Sequence, residues 1–153
     1  MAAHKHDHNT CLTDAVQKAE VLCGELGVQL TPIRKKVLEL VWLNHKAVKA
    51  YDLLEKLDTK DGAIAPPTVY RALDFLVKNG LVHKIESLNA FVGCSHPFDK
   101  HNCQFFICTD CGDVSEFCDP DVTKLLQKNA RKKGFAFKRQ MLEAYGTCAN
   151  CQK

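Results

Sequence analysis

Residues 66–80 read PPTVYRALDFLVKNG, a stretch that opens on two prolines and closes on Asn79-Gly80. Proline suits the first turn of a helix, where its missing N–H has no intrahelical partner in any case, and Gly is the commonest residue just past a helix end. Between these signals, at 100° per residue, Val69, Ala72, Leu73, Leu76 and Val77 fall on one stripe, while Tyr70, Arg71, Asp74 and Lys78 share the opposite face. The spacing predicts a helix that buries one side and presents an aromatic–cationic pair on the other.

Upstream, the apolar residues Ala15, Val16, Ala19, Leu22, Cys23 and Leu26 recur at helical spacing over Thr13–Leu26, with Gly27 as the stop. In LTPIRKKVLELVWL, Thr31 is the expected N-cap and Pro32 the first helical residue, with Ile33, Val37, Leu40 and Val41 on one face. A third short helix fits AYDLLEKL. Downstream, LVHKIE and AFVGC alternate around Ser87-Leu88-Asn89 and read as a hairpin. Helices followed by a small hairpin give the element order of a winged helix-turn-helix, expected over residues 13–93 behind a flexible His-containing tail at 1–12.

Beyond an expected hinge at 94–100 the pattern changes to strand, turn, strand, helix, strand, with QFFIC, VSEFC, a helix over about Val122–Lys133 and FAFKRQMLEAY. This predicts a second, small α/β domain over 101–153, and an α+β chain as a whole. Cys108-Thr109-Asp110-Cys111 and Cys148-Ala149-Asn150-Cys151 bracket that unit. Two C-x-x-C pairs around a strand–helix–strand make a four-cysteine set, the ligand type of a closed structural zinc site with no open catalytic position. A redox reading of either pair is weaker, because thioredoxin-like chemistry places its motif at a helix N-terminus after a strand.

The chain has 153 residues, 9 Cys and 7 His, and 46% of its residues are hydrophobic, enough for real cores. No apolar run approaches the roughly 18 to 20 residues of a membrane span, and MAAHKHDHNT lacks the apolar centre of a signal peptide. A soluble, cytoplasmic protein is expected. There are 12 basic against 11 acidic residues up to Cys94 and 9 against 7 after it, so neither half is basic enough to announce nucleic acid by charge alone. His83, Cys94, His96, His101, Cys103, Glu116 and Cys118 form a further concentration of metal-ligand types around the domain junction.

QLTPIR, PPTVYRALDFLVKNGLVHKIES, FICTDCG and the terminal CANC together resemble the ferric uptake regulator superfamily, and most closely its zinc uptake regulator branch. The resemblance runs from about Thr13 to Cys151. It implies a homodimeric, metal-dependent DNA-binding repressor of zinc uptake genes, in which residues 101–153 form the metal-binding dimerisation domain. It also implies two zinc ions per chain. Cys108, Cys111, Cys148 and Cys151 fall on the structural ligands, and His83, Cys94, His101 and Glu116 on the regulatory ones. That regulatory zinc would draw on both domains at the hinge and hold a DNA-competent dimer. Where the iron and peroxide branches carry a His-rich run before the knuckle, this chain has KHNCQFFIC, and a ligand set containing a thiolate is softer and favours zinc.

On the DNA side the resemblance puts Tyr70 and Arg71 at bases, Arg71 toward a guanine edge and Tyr70 against a thymine methyl or neighbouring base, with Thr68 suited to a phosphate. The alternative for Arg71 is a surface salt bridge with Asp74 or Glu55. Arg34, Lys35 and Lys36 read as phosphate anchors on a palindromic double-stranded operator, or equally as an ordinary solvated face. No membrane partner or small-molecule substrate is expected. Nor is an enzyme, since there is no H-E-x-x-H and the nearby carboxylate, Glu116, is already a proposed ligand. The competing reading is a thiol and zinc redox-sensing regulator, with Cys103, Cys118 and His96 in neither ligand set.

Overall fold

The computed structural model describes residues 8–43, 46–57, 62–99 and 102–152. It divides into two compact units, Met1–Phe98 and Asp99–Lys153. The first carries α1 (His8–Leu26), α2 (Pro32–Trp42), α3 (Ala50–Leu57), α4 (Pro66–Lys78), β1 (Val82–Ile85) and β2 (Ala90–Gly93). The second carries β3 (Gln104–Cys108), β4 (Val114–Phe117), α5 (Pro120–Lys132) and β5 (Leu142–Gly146).

The first unit is built around the buried stripe of α4. Val69, Ala72, Leu73 and Leu76 pack with Val37, Leu38 and Val41 of α2 and Leu53 and Leu57 of α3 in one continuous core. Val77, expected in that stripe, is 37% exposed. It stands at the margin of the apolar face, about 80° from Val69 on a helical wheel, where the packed helices no longer reach. At the end of α4, Gly80 takes φ 73°, and the Leu81 N–H donates to the Leu76 carbonyl at 2.9 Å. That closing bond turns the chain directly into the hairpin.

In the hairpin, β1 and β2 pair antiparallel with Val82 opposite Gly93 and His83 opposite Val92, around a short 3-10 turn at Glu86–Leu88. Val48 extends this ladder by exchanging both backbone bonds with Phe91, at 2.9 and 2.8 Å. α1 begins at His8, five residues before the start expected from its apolar spacing, so residues 8–12 belong to the helix and not to a tail. Neither Gly nor Pro interrupts 8–23, and polar residues such as Asn9 and Thr10 carry no apolar period by which a start could be read.

In the second unit the strand order is β4-β3-β5. β3 and β4 form an antiparallel hairpin, and α5 carries the chain over so that β5 runs parallel to β3. Asp119 caps α5 by accepting the Asp121 N–H at 2.8 Å, with Pro120 at the first turn. The segment expected as a long strand from Phe135 pairs only from Leu142, because β3 offers a ladder of five residues, Gln104 to Cys108. Among the described residues this unit buries little: Cys103, Gln104, Phe105, Ile107 and Cys108, and nothing from α5.

Two glycines of the first unit separate space from strain. A Cβ at Gly93 would fall inside the Trp42 indole, whereas a Cβ at Gly24 in α1 meets nothing within 4 Å. Gly93→Ala should therefore destabilise the unit by about 1–3 kcal/mol through overpacking. Gly24→Ala should stabilise it by about 0.5–1 kcal/mol through reduced backbone entropy. Urea unfolding of both variants, followed by Trp42 fluorescence, checks the opposite signs.

Candidate functional site

The β3–β4 turn and the segment after β5 are neighbours because β3 and β5 run parallel and end together, with Cys108 opposite Gly146. Each C-x-x-C then folds as a tight turn. The Gly112 N–H reaches the Cys108 carbonyl at 3.0 Å, and the Cys151 N–H reaches the Cys148 carbonyl at 2.9 Å. The Thr109 N–H joins the two turns by donating to the Gly146 carbonyl at 2.9 Å. Cys108, Cys111, Cys148 and Cys151 consequently bring their four sulfurs within 4.8 Å of one another.

The donor set fits zinc. Four sulfurs at about 2.3 Å from a tetrahedral ion lie roughly 3.8 Å apart, and Cys111 Sγ is 3.7 Å from Cys148 Sγ. The electrostatics lead the same way. The Cys148 N–H points at Cys108 Sγ from 3.3 Å, and with the Cys111 backbone N–H it lowers the Cys108 thiol to about 6. Cys151 is pushed up to about 12, chiefly by the Cys148 and Cys111 side chains. One thiolate thus forms readily while Cys111 and Cys151 resist further ionisation. A divalent cation relieves that repulsion.

The residues expected to hold a second, regulatory zinc are distributed as follows. In the first unit, His83 is half-buried on β1, opposite Val92. Cys94 is 4% exposed, and its N–H donates to the Leu81 carbonyl at 3.0 Å. Cys94 also lines a cavity of about 270 Å³ with Cys11, Asp14, Lys18 and Trp42. His101, like His4 and His6, lies outside the described residues.

In the second unit, Glu116 on β4 is half-buried, and its Oε1 accepts from Cys103 Sγ at 3.1 Å and Cys118 Sγ at 3.8 Å. Burial, then the Glu116 charge, raise the Cys118 thiol. The pairing of Glu116 with Cys103 was not anticipated from the sequence, where Cys103 was weighed only as a member of a further weak metal site, a substitute ligand or an oxidisable thiol. Counting the β3–β4 register outward from the Cys108–Cys111 turn would have found it.

The nucleic-acid candidates lie on the first unit. Tyr70 is 52% exposed, Arg71 is exposed, and Thr68 is half-buried near the start of α4. Among the described residues no carboxylate pairs with Arg71, so neither Asp74 nor Glu55 occupies it. Thr68 and Arg71 line a shallow cleft with Thr31, Ile33, Arg34 and Ala72, where the N-terminal ends of α2 and α4 converge.

The basic residues of α2 are less available than their sequence suggested. Arg34 donates to the Gln29 carbonyl at 2.6 Å and stacks 3.7 Å from the Phe75 ring centroid, tying α2 to α4. Lys35 pairs with Glu20 at 2.8 Å, and Lys36 with Glu39 at 3.6 Å. These surface pairs are weak and leave Lys36, 57% exposed, free to exchange its partner for a phosphate.

Comparison with known proteins places the chain. The zinc uptake regulation protein of Escherichia coli (strain K12) is 44% identical over 144 residues, which cover 93% of this chain and 84% of that protein. A ferric uptake regulation protein of Bordetella parapertussis is 32% identical over 130 residues, covering 84% and 92%. Among solved structures, a zinc uptake regulator complexed with zinc and DNA matches with a TM-score of 0.87 at 42% identity, over 92% of this chain and 94% of its own. A holo XcZur crystal structure matches with a TM-score of 0.82 at 49% identity, over 89% and 95%. The model of the ferric uptake regulator family matches residues 25–145, well over half the sequence, and this chain belongs to that family.

Proposed function

We propose that this chain is a zinc-responsive DNA-binding transcriptional repressor of zinc uptake genes, a cytoplasmic homodimer that binds a palindromic double-stranded operator. The observation that carries the reading is α4. It is held rigidly by its buried face while Tyr70 and Arg71 stand exposed on the other, as a helix entering a major groove requires. The likeness to zinc uptake regulators over nearly the whole chain supports the same function. A regulator, not a catalyst, is also what a closed four-thiol site suits.

Homodimerisation is supported by what the second unit leaves uncovered. Phe106, Leu125, Phe135, Met141 and Tyr145 are between 40% and 67% exposed, and no residue of α5 is fully buried against its own chain. Such apolar surface is the usual signature of a subunit interface. A symmetric dimer then offers two α4 helices to the two halves of a palindrome.

Two zinc ions per chain are proposed. One is held by Cys108, Cys111, Cys148 and Cys151, where it adds stability to a unit with little core of its own. The other, regulatory, is held by His83, Cys94, His101 and Glu116. Because binding is reciprocal, operator DNA must tighten the regulatory zinc by the factor through which that zinc tightens DNA. At bases, Arg71 reads a guanine edge and Tyr70 a thymine methyl or neighbouring base, while Thr68 and Lys36 serve the phosphates and Arg34, bonded to the Gln29 carbonyl and stacked on Phe75, borders the same cleft.

Metal analysis of variants separates the two sites. Cys148→Ser should lower bound zinc by one and abolish the cooperative unfolding of the second unit. His83→Ala should also lose one zinc but keep that unit folded, and should lose zinc-dependent DNA binding. Loss of both ions from His83→Ala would contradict the division. Protons compete for the thiols, so zinc affinity at the four-cysteine site should fall as pH falls, and more steeply below about 6, where Cys108 must also be deprotonated. Chelator competition across that pH range measures the slope.

Selection from a random double-stranded DNA library at high and low free zinc tests the repressor reading itself. One palindrome should be enriched, and only at high zinc; enrichment independent of zinc, or none, would overturn it. On that palindrome Arg71→Ala should cost about 1–3 kcal/mol of discrimination at one base pair per half-site. Lys36→Ala should weaken all sequences alike and reduce the salt slope by about 1.

A further inference from the structure

Two thiols of the second unit stand apart from the four-cysteine cluster, and the strand register brings them together. β3 and β4 pair antiparallel with Phe105 opposite Glu116 and Gln104 opposite Phe117. Cys103 and Cys118 are the residues just beyond the last pair of this ladder, and the same register continued by one step would set them opposite each other. Directly opposed residues of an antiparallel pair lie about 4.5–5.5 Å apart between Cα atoms, inside the roughly 4.4–6.8 Å that a disulfide spans.

The ladder end is held in that register by a buried side chain. Gln104 is fully buried; its Oε1 accepts the Asp119 N–H and its Nε2 donates to the Asn102 carbonyl, both at 3.0 Å. The residues just beyond each cysteine are thereby tied to one glutamine. The two sulfurs also converge on one atom, Glu116 Oε1, at 3.1 Å from Cys103 and 3.8 Å from Cys118. Their access to solvent differs: Cys118 is exposed, and Cys103 is only 7% exposed.

We infer that Cys103 and Cys118 form a reversible disulfide across the open end of the β3–β4 ladder, a modification site separate from the four zinc-type cysteines. The oxidant it fits is a low-molecular-weight disulfide. The exposed Cys118 gives up its proton and attacks one sulfur of the reagent, whose S–S bond breaks, leaving a mixed disulfide on Cys118 and expelling one thiolate that takes up that proton. The Cys103 sulfur then attacks the Cys118 sulfur and expels the second thiolate, which leaves with the Cys103 proton. The protein loses two electrons, and the reagent is reduced to two thiols. Closing this bond removes both S–H donors from Glu116. That the crosslink thereby alters the zinc response rests on the proposed role of Glu116 as a regulatory ligand; formation of the crosslink does not.

The test oxidises the zinc-loaded full chain with glutathione disulfide and maps its peptides without reduction, with zinc content measured alongside. The expected product is one Cys103–Cys118 crosslink, reversed by dithiothreitol, with zinc retained at the four-cysteine cluster. Cys103→Ser should stop at a glutathione adduct on Cys118, and Cys118→Ser should carry no adduct on Cys103. Cys103→Ala, checked for native thermal unfolding, guards against a folding defect and should give the same trapped adduct. A link among Cys108, Cys111, Cys148 and Cys151 in its place would overturn the inference. So would a wild-type protein that accumulates the glutathione adduct without closing, or one that does not react at all. Absence of zinc-dependent DNA binding would sink the proposed function and leave this result unchanged.

Discussion

The convergence of Cys108, Cys111, Cys148 and Cys151 is the constraint on which the second unit depends. A unit that buries only a handful of residues from β3 and nothing from α5 has little hydrophobic free energy with which to offset chain entropy. Small units of this kind are stabilised by metals or by association, and both means are visible in the residues. The sulfurs join the end of the β3–β4 hairpin to the end of β5, so the parallel pairing created by the α5 crossover is clamped at its free end. The exposed apolar residues of α5 and the strands provide the second means.

The first unit is governed by the opposite circumstance. Leu38, Leu53, Leu73 and Leu76 are fully buried in a core shared by α2, α3 and α4, and the hairpin is stitched to Val48 as well as to itself. Arg34 adds a lateral strut from α2 to Phe75 of α4. A helix supported on this many sides keeps its exposed face in place, which the proposed base readout would require, since such readout depends on side chains arriving at fixed edges in the groove. Arg34 also illustrates the limit of charge counting. A cation in the sequence is indifferent to whether a carbonyl and an aromatic ring will claim it, and here both do.

Much of this was legible beforehand. The start of α4 at Pro66 and of α2 at Pro32, and the whole of α3, follow from prolines, stop signals and a 3.6-residue period, all of which are local. The four-cysteine cluster was legible because two C-x-x-C pairs demand a common ligand. Legibility failed where the deciding partner was distant. The start of α1 has no local signal, Val77 sits at the edge of a stripe whose width is set by neighbouring helices, and residues 135–141 have the alternation of a strand but pair with no strand among the described residues. Cys103 could be read from the sequence as a further ligand or an oxidisable thiol, but only the fold brought it and Cys118 to the same oxygen of Glu116.

The sequence by itself determined the elements, their order, the metal-type cysteines and the outward pairing of Tyr70 with Arg71, since periodicity, capping and ligand spacing act over a few residues. Only the tertiary structure decided which thiols meet, which cations remain available and which apolar surfaces stay uncovered. Those outcomes depend on strand register and on side chains far apart in the chain, and a shift of one residue in a ladder would turn every side chain of that strand to the other face.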